Sequence, residues 1–79
     1  MKARVFVTLK NGVLDPQGAA IGTALGNMGF DGIGTVRQGK VFEIEMTGSD
    51  REAAAERLDT MCRRLLANTV IEDYSVELV

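Results

Sequence analysis

Chemistry in this chain has few places to reside. Gly34-Thr35-Val36-Arg37-Gln38-Gly39-Lys40-Val41 carries the glycine and lysine spacing of a phosphate-binding loop. Val41 stands where the magnesium-binding hydroxyl belongs, however, and the sequence after it reads as a strand where a helix is needed. Gly29, Gly32 and Gly34 form G-x-x-G-x-G, the reverse of the dinucleotide fingerprint, and do not follow a strand of a βαβ unit. Glu43 and Glu45 share one face of a strand pattern, with no second group or metal set beside them, so a solvated or interface face outweighs an acid–base pair. The single cysteine, Cys62, lies on an apolar helical stripe between Met61 and Leu65, where inert packing outweighs a reactive thiolate. There is no histidine, which removes the usual activator of serine and cysteine nucleophiles. Lys10, Arg37 and Lys40 could meet an anionic group, but serve equally well as solubility charges on loops. Independent catalysis is not what this composition supports.

The elements that would position these residues follow from periodicity. Lys2 to Leu9 alternates, with Ala3, Val5, Val7 and Leu9 on one face and Arg4, Phe6 and Thr8 on the other. Phe6 is the odd aromatic on the polar face, either a lone exposed residue or the mark of a subunit contact. Asn11-Gly12 turns the chain, and Asp15-Pro16 opens a helix with a capping carboxylate and proline at the first helical position. That helix is predicted to run from Pro16 to about Met28 and end at Gly29, with Ala20, Ile21, Ala24, Leu25 and Met28 as a core stripe. Gly18, Gly22 and Gly26 share another side of it, and tolerated surface substitution is favoured over close backbone approach. Two strands, Thr35–Gln38 and Lys40–Met46, are expected to form a hairpin with Gly39 supplying a positive φ. Ser49 and Glu52 make a capping box for a second helix whose buried stripe is Ala54, Leu58, Met61, Cys62 and Leu65. A last strand alternates Tyr74, Val76 and Leu78 against Ser75 and Glu77.

The fold class is therefore α+β, ferredoxin-like in its βαββαβ order: a four-stranded antiparallel sheet with two helices on one face, completed or extended by dimerisation. At 79 residues the chain reads as one domain, residues 1–79, with a thin core and neither a cysteine pair nor a zinc spacing to reinforce it. Self-association is one common remedy, and a partner surface is the one that remains. Nine basic against eleven acidic residues, dispersed along the chain, give a net charge of −2 and argue against nucleic acid. No apolar run approaches membrane-spanning length and no signal-like segment opens the sequence, so a cytoplasmic protein is expected.

Four segments in this order carry a resemblance: Thr8-Leu9-Lys10-Asn11-Gly12-Val13-Leu14-Asp15-Pro16-Gln17-Gly18, Val36-Arg37-Gln38-Gly39-Lys40, Met61-Cys62 with Leu65-Leu66-Ala67-Asn68, and Val70-Ile71-Glu72-Asp73-Tyr74. Together they resemble the PurS family, the small subunit of phosphoribosylformylglycinamidine synthase, over essentially the whole chain. Thr69 stands where that family usually has proline. The resemblance implies a subunit with no active site, cofactor or metal of its own. It would dock a glutaminase subunit, PurQ, onto an ATP-dependent synthetase subunit, PurL, with ATP and Mg on the synthetase, and would act as a homodimer or higher oligomer. Exposed turns on a rigid scaffold commonly carry recognition, which makes Lys10, Asn11, Gly12, Arg37, Gln38, Gly39 and Lys40 the contact candidates. The competing reading is an ACT-like regulatory module that senses a small molecule between two copies. An RNA-binding module of the same topology fares worse, since paired aromatics are missing from the central strands.

Overall fold

A computed structural model describes residues 1–79. Its elements are β1 (Lys2–Leu9), α1 (Pro16–Asn27), β2 (Gly39–Glu45), α2 (Arg51–Met61), a π-helical turn (Cys62–Leu66) and β3 (Glu72–Leu78). The sheet has three strands in the order β2-β1-β3, with β1 antiparallel to both neighbours. The architecture is α+β.

Alternation in β1 does what its sequence dictates. Ala3, Val5 and Val7 are sealed beneath Leu58, Cys62 and Ala67, with Phe42, Ile44, Tyr74, Val76 and Leu78 packed around them. Fully burying side chains such as Val5 and Leu58 contributes about 1.5–3 kcal/mol each. On the opposite face Arg4 lies between Glu43 and Glu77, and Lys2 bonds Glu43 at 2.9 Å, a half-exposed ladder of ion pairs with Phe6 opposite Val41 in the next row.

The structure departs from the predicted hairpin. Thr35–Gln38 forms no strand, and Gly39 is the first residue of β2, paired with Thr8. Gly39 is not among the positive-φ glycines. It is needed there for space, because a Cβ would sit 2.6 Å from the Val7 carbonyl oxygen. A glycine demanded by close approach inside a strand looks the same in sequence as one demanded by a turn.

The cap of α2 is Asp50, one residue later than the expected Ser49, and its carboxylate accepts from the Glu52 and Ala53 N–H groups at 3.1 Å. Leu65 leaves the stripe: the wide turn at Cys62–Leu66 shifts the helical register, so Leu65 points to solvent at 84% exposure while Ala67 is buried.

The largest departure concerns α1. Its bounds match expectation, but no residue of α1 enters the core cluster, Ile21 is 41% exposed and Met28 71%. α1 and the chain that returns from it form an arm beside the sheet. The radius of gyration is 15.9 Å, against about 12 Å for a compact chain of this length. The expected placement of both helices on one sheet face therefore fails within one chain: α2 covers the sheet, and α1 does not.

Candidate functional site

Two of the segments singled out in the sequence, residues 8–18 and 36–40, meet at the base of the arm. Asp15 is the centre of the contact. Its Oδ1 accepts from the Gly18 N–H at 2.9 Å, capping α1, and its Oδ2 accepts from the Gln38 N–H at 2.7 Å, immediately before β2. These two main-chain donors, first Gln38 and then Gly18, hold the Asp15 carboxyl below its ordinary pKa of 3.8, with the nearby Arg37 charge adding to the effect.

Arg37 turns inward. One terminal nitrogen donates to the Val13 carbonyl at 3.2 Å, and the other donates to the Leu9 and Lys10 carbonyls at 3.1 Å each. Those carbonyls end β1 and begin its turn, in which the Val13 N–H donates back to Lys10 and Gly12 takes a φ of +86°. Gln38 adds a bond from its side-chain amide to Gln17 Oε1 at 2.8 Å. Lys40 reaches Glu72 at 3.8 Å across β1 and lies 5.7 Å from the Phe42 ring centroid.

Of the seven contact candidates, Arg37 and Gln38 are thus drawn into a main-chain brace, Lys10 contributes its carbonyl to it, and Asn11 and Gly12 stay on the exposed turn. Gly39 is fixed by the sheet and Lys40 by Glu72. Sequence reading gave Asp15 only a capping role and missed its second bond; the signal lay in the pairing of two segments whose partnership periodicity cannot reveal.

Close approach also explains one of the three α1 glycines, Gly18, against the surface reading. A Cβ on Gly18 would collide with the Val36 carbonyl oxygen and lie 2.6 Å from Asp15 Oδ2, whereas one on Gly22 would meet Val36 Cγ2 at 3.4 Å, an ordinary van der Waals contact. Gly26 has nothing within 4 Å. Between α1 and the returning segment lies a cleft of about 750 Å³, lined by Leu14, Gly18, Gly22, Thr23, Ile33 and Val36 among others. Its walls are mostly apolar, and both terminal nitrogens of the one cation lining it, Arg37, already serve carbonyls. The cleft suits apolar side chains better than an anion.

Elsewhere, Tyr74 donates its hydroxyl to Asp59, which also accepts from Arg63 at 2.8 Å. The Tyr74 bond lowers the Asp59 pKa and raises that of Tyr74. Burial, helped by Asp59, pushes the Cys62 thiol up, the opposite of thiolate activation. No three metal-ligating side chains cluster, and no helix is long and apolar enough to cross a membrane.

Residues 2–79 match the family model described as PurS: Phosphoribosylformylglycinamidine (FGAM) synthase. The chain belongs to the PurS family. A PurS subunit from Synechocystis is 48% identical, the match covering 95% of this chain and 75% of that one. The crystal structure of PurS from Methanocaldococcus jannaschii, a subunit of formylglycinamide ribonucleotide amidotransferase in the purine biosynthetic pathway, superposes with a TM-score of 0.87 at 41% identity, covering 96% of this chain and 92% of that one. A chain of the PurLQS structure from Thermotoga maritima gives 0.91 at 29% identity, covering 99% and 95%. The PurS match includes both braced segments.

Proposed function

We propose that this chain is the non-catalytic small subunit of phosphoribosylformylglycinamidine synthase. It docks a PurQ-type glutaminase onto a PurL-type synthetase, so that ammonia from glutamine reaches formylglycinamide ribonucleotide. The observation that carries this reading is likeness along nearly the whole chain to PurS proteins, one of them seen in a PurLQS structure. Physical need points the same way. Ammonia released into water is diluted and protonated, so two active sites that share it work best in one closed assembly. ATP and Mg belong to the synthetase in this scheme, and the setting is the cytoplasm.

The chain's own features suit assembly. Residues 16–30 carry no charged side chain although most are exposed, and an apolar helix without charge on any side is ordinarily a buried one. The outer edges of β2 and β3 are unpaired. A second copy, covering α1 or extending the sheet, would answer both, and the working unit is a homodimer or larger.

The test is reconstitution with the glutaminase and synthetase subunits of the same source, with glutamine, ATP and Mg. Co-elution and glutamine-dependent amidine formation that both require this chain are the expected result. If neither requires it, the reading fails, and a melting-temperature gain with a free metabolite would favour the sensor class instead.

A further inference from the structure

The geometry points to Asp15 and Arg37 as positioning residues that set the angle at which the α1 arm leaves the sheet, and through that angle the fit of this chain to its partners. The inference rests on the assembly role proposed above and assigns these residues a part in it that differs from surface contact.

The arm lacks what normally orients a helix. None of its side chains joins the core, so sheet packing does not fix its direction. Side-chain hydrogen bonds from residues 13–38 to one another or to β1 run through Asp15, Arg37 or the Gln17–Gln38 pair. Asp15 joins the start of the arm to its end with one carboxylate. Arg37 joins the end of the arm to the last carbonyls of β1 and to Val13. The absence of a side chain at Gly18 lets the Val36 main chain come near enough for the brace to close. Two strands, one turn and one helix start are thereby held at a single point, on side chains outside the core cluster.

Charge-assisted bonds from one ionised side chain to main-chain groups are directional and short, which suits a joint whose angle matters. An ordinary surface ion pair would not hold an angle. Lys10 and Lys40 are the nearby cations in sequence, and neither has a bond to Asp15.

Asparagine at position 15 separates the two bonds. Its single carbonyl oxygen can still cap Gly18, as asparagine caps about as well as aspartate, but its NH2 would face the Gln38 N–H, donor against donor. The experiment compares wild type, Asp15→Asn and Arg37→Lys, with Glu56→Gln on the outer surface of α2 as a control. Amide hydrogen exchange on the isolated chain is read beside titration of each variant into the glutaminase and synthetase subunits.

Expected are faster exchange at Gln38 and along Gln17–Asn27, unchanged exchange in β1 and α2, and a rise of about tenfold or more in the concentration giving half-maximal glutamine-dependent activity, with the plateau regained. Glu56→Gln should behave as wild type. If arm exchange is unchanged in Asp15→Asn and Arg37→Lys, the brace does not orient the arm. If arm exchange quickens while the titration is unmoved, the angle does not govern assembly; either result overturns the inference. Failure of the wild type to support activity at all would instead sink the scaffold reading.

Discussion

Leu58 and Ile21 sit on helices of similar length, in apolar stripes that look alike in the sequence, yet Leu58 is fully buried and Ile21 is 41% exposed. The sheet half of the molecule, β1, β2, β3 and α2, closes on itself through side-chain packing. The arm half closes at one polar joint and leaves its apolar surface outside. Periodicity shows that a helix has an apolar face; it does not show whether the same chain covers that face. One half is held by its own burial, and the other leaves its apolar face uncovered within this chain.

The strongest way to break this contrast is Leu58→Ala. Removing the centre of the core should destabilise the protein by about 2–5 kcal/mol, seen as a lowered thermal or urea midpoint for sheet and arm signals alike. A core-wide loss is the expectation; a small change would mean that the sheet half is not held by burial. Next comes Gly18→Ala. The added Cβ forces Val36 and Asp15 apart, at about 1–3 kcal/mol, with loss of protection at Gln38 by hydrogen exchange and little change in β1. Its companion Gly26→Ala should do the reverse, stabilising the isolated chain by roughly 0.5–1 kcal/mol, since open space surrounds that position. Opposite signs eight residues apart on one helix would show that the brace, and not helix propensity, decides.

Capping gives a smaller effect. Asp50→Ala should cost about 0.5–2 kcal/mol in thermal stability, while Ser49→Ala should stay within about 0.5 kcal/mol; equal losses would restore the serine cap.

The pH response separates the halves at its alkaline end. Asp15 in the arm and Glu43 and Asp59 in the sheet half have lowered pKa values, from hydrogen bonds to Gln38, Lys2 and Tyr74 respectively before other causes. Their stabilisation is therefore present above the ordinary carboxylate values of 3.8 and 4.5 and is lost as pH falls through the lowered ones. Tyr74 is raised above 10.0, chiefly by its bond to Asp59, and Cys62 above 9.0, chiefly by burial, so their contribution holds below those values and is lost at higher pH. Acid should loosen both halves, and alkali the sheet half alone. Residue-resolved exchange at the two extremes checks this, and alkaline loosening of the arm ahead of the sheet would contradict it.

Much of the sheet half was legible in the sequence because alternation and helical spacing are local. Ala3, Val5 and Val7 inward, Leu58 and Cys62 above them, and Tyr74, Val76 and Leu78 beside them all follow from period. Leu65 escaped because five residues of π-helix change the period without a proline or glycine to announce it. Asp50 displaced Ser49 as cap because the two adjacent residues offer equivalent acceptors and only backbone geometry chooses. Gly39, at the start of β2, was read as a turn when it answers the nearness of Val7, and Gly18, in the arm, as surface when it answers Val36. Each of these is a long-range contact, invisible to spacing. The candidate segments were recognisable as important, but Arg37 turning toward main-chain carbonyls could not be inferred from the lysines and glycines around it.

The uncharged stretch from Pro16 to Phe30 has a consequence for solution behaviour. An interface formed there has no Coulombic part for ions to screen, whereas one formed on the Lys2–Arg4–Glu43–Glu77 ladder does. Raising sodium chloride should leave association through the arm almost untouched, and sulfate should tighten it by strengthening apolar burial, so the ionic-strength dependence of assembly reports which surface of this chain is in use.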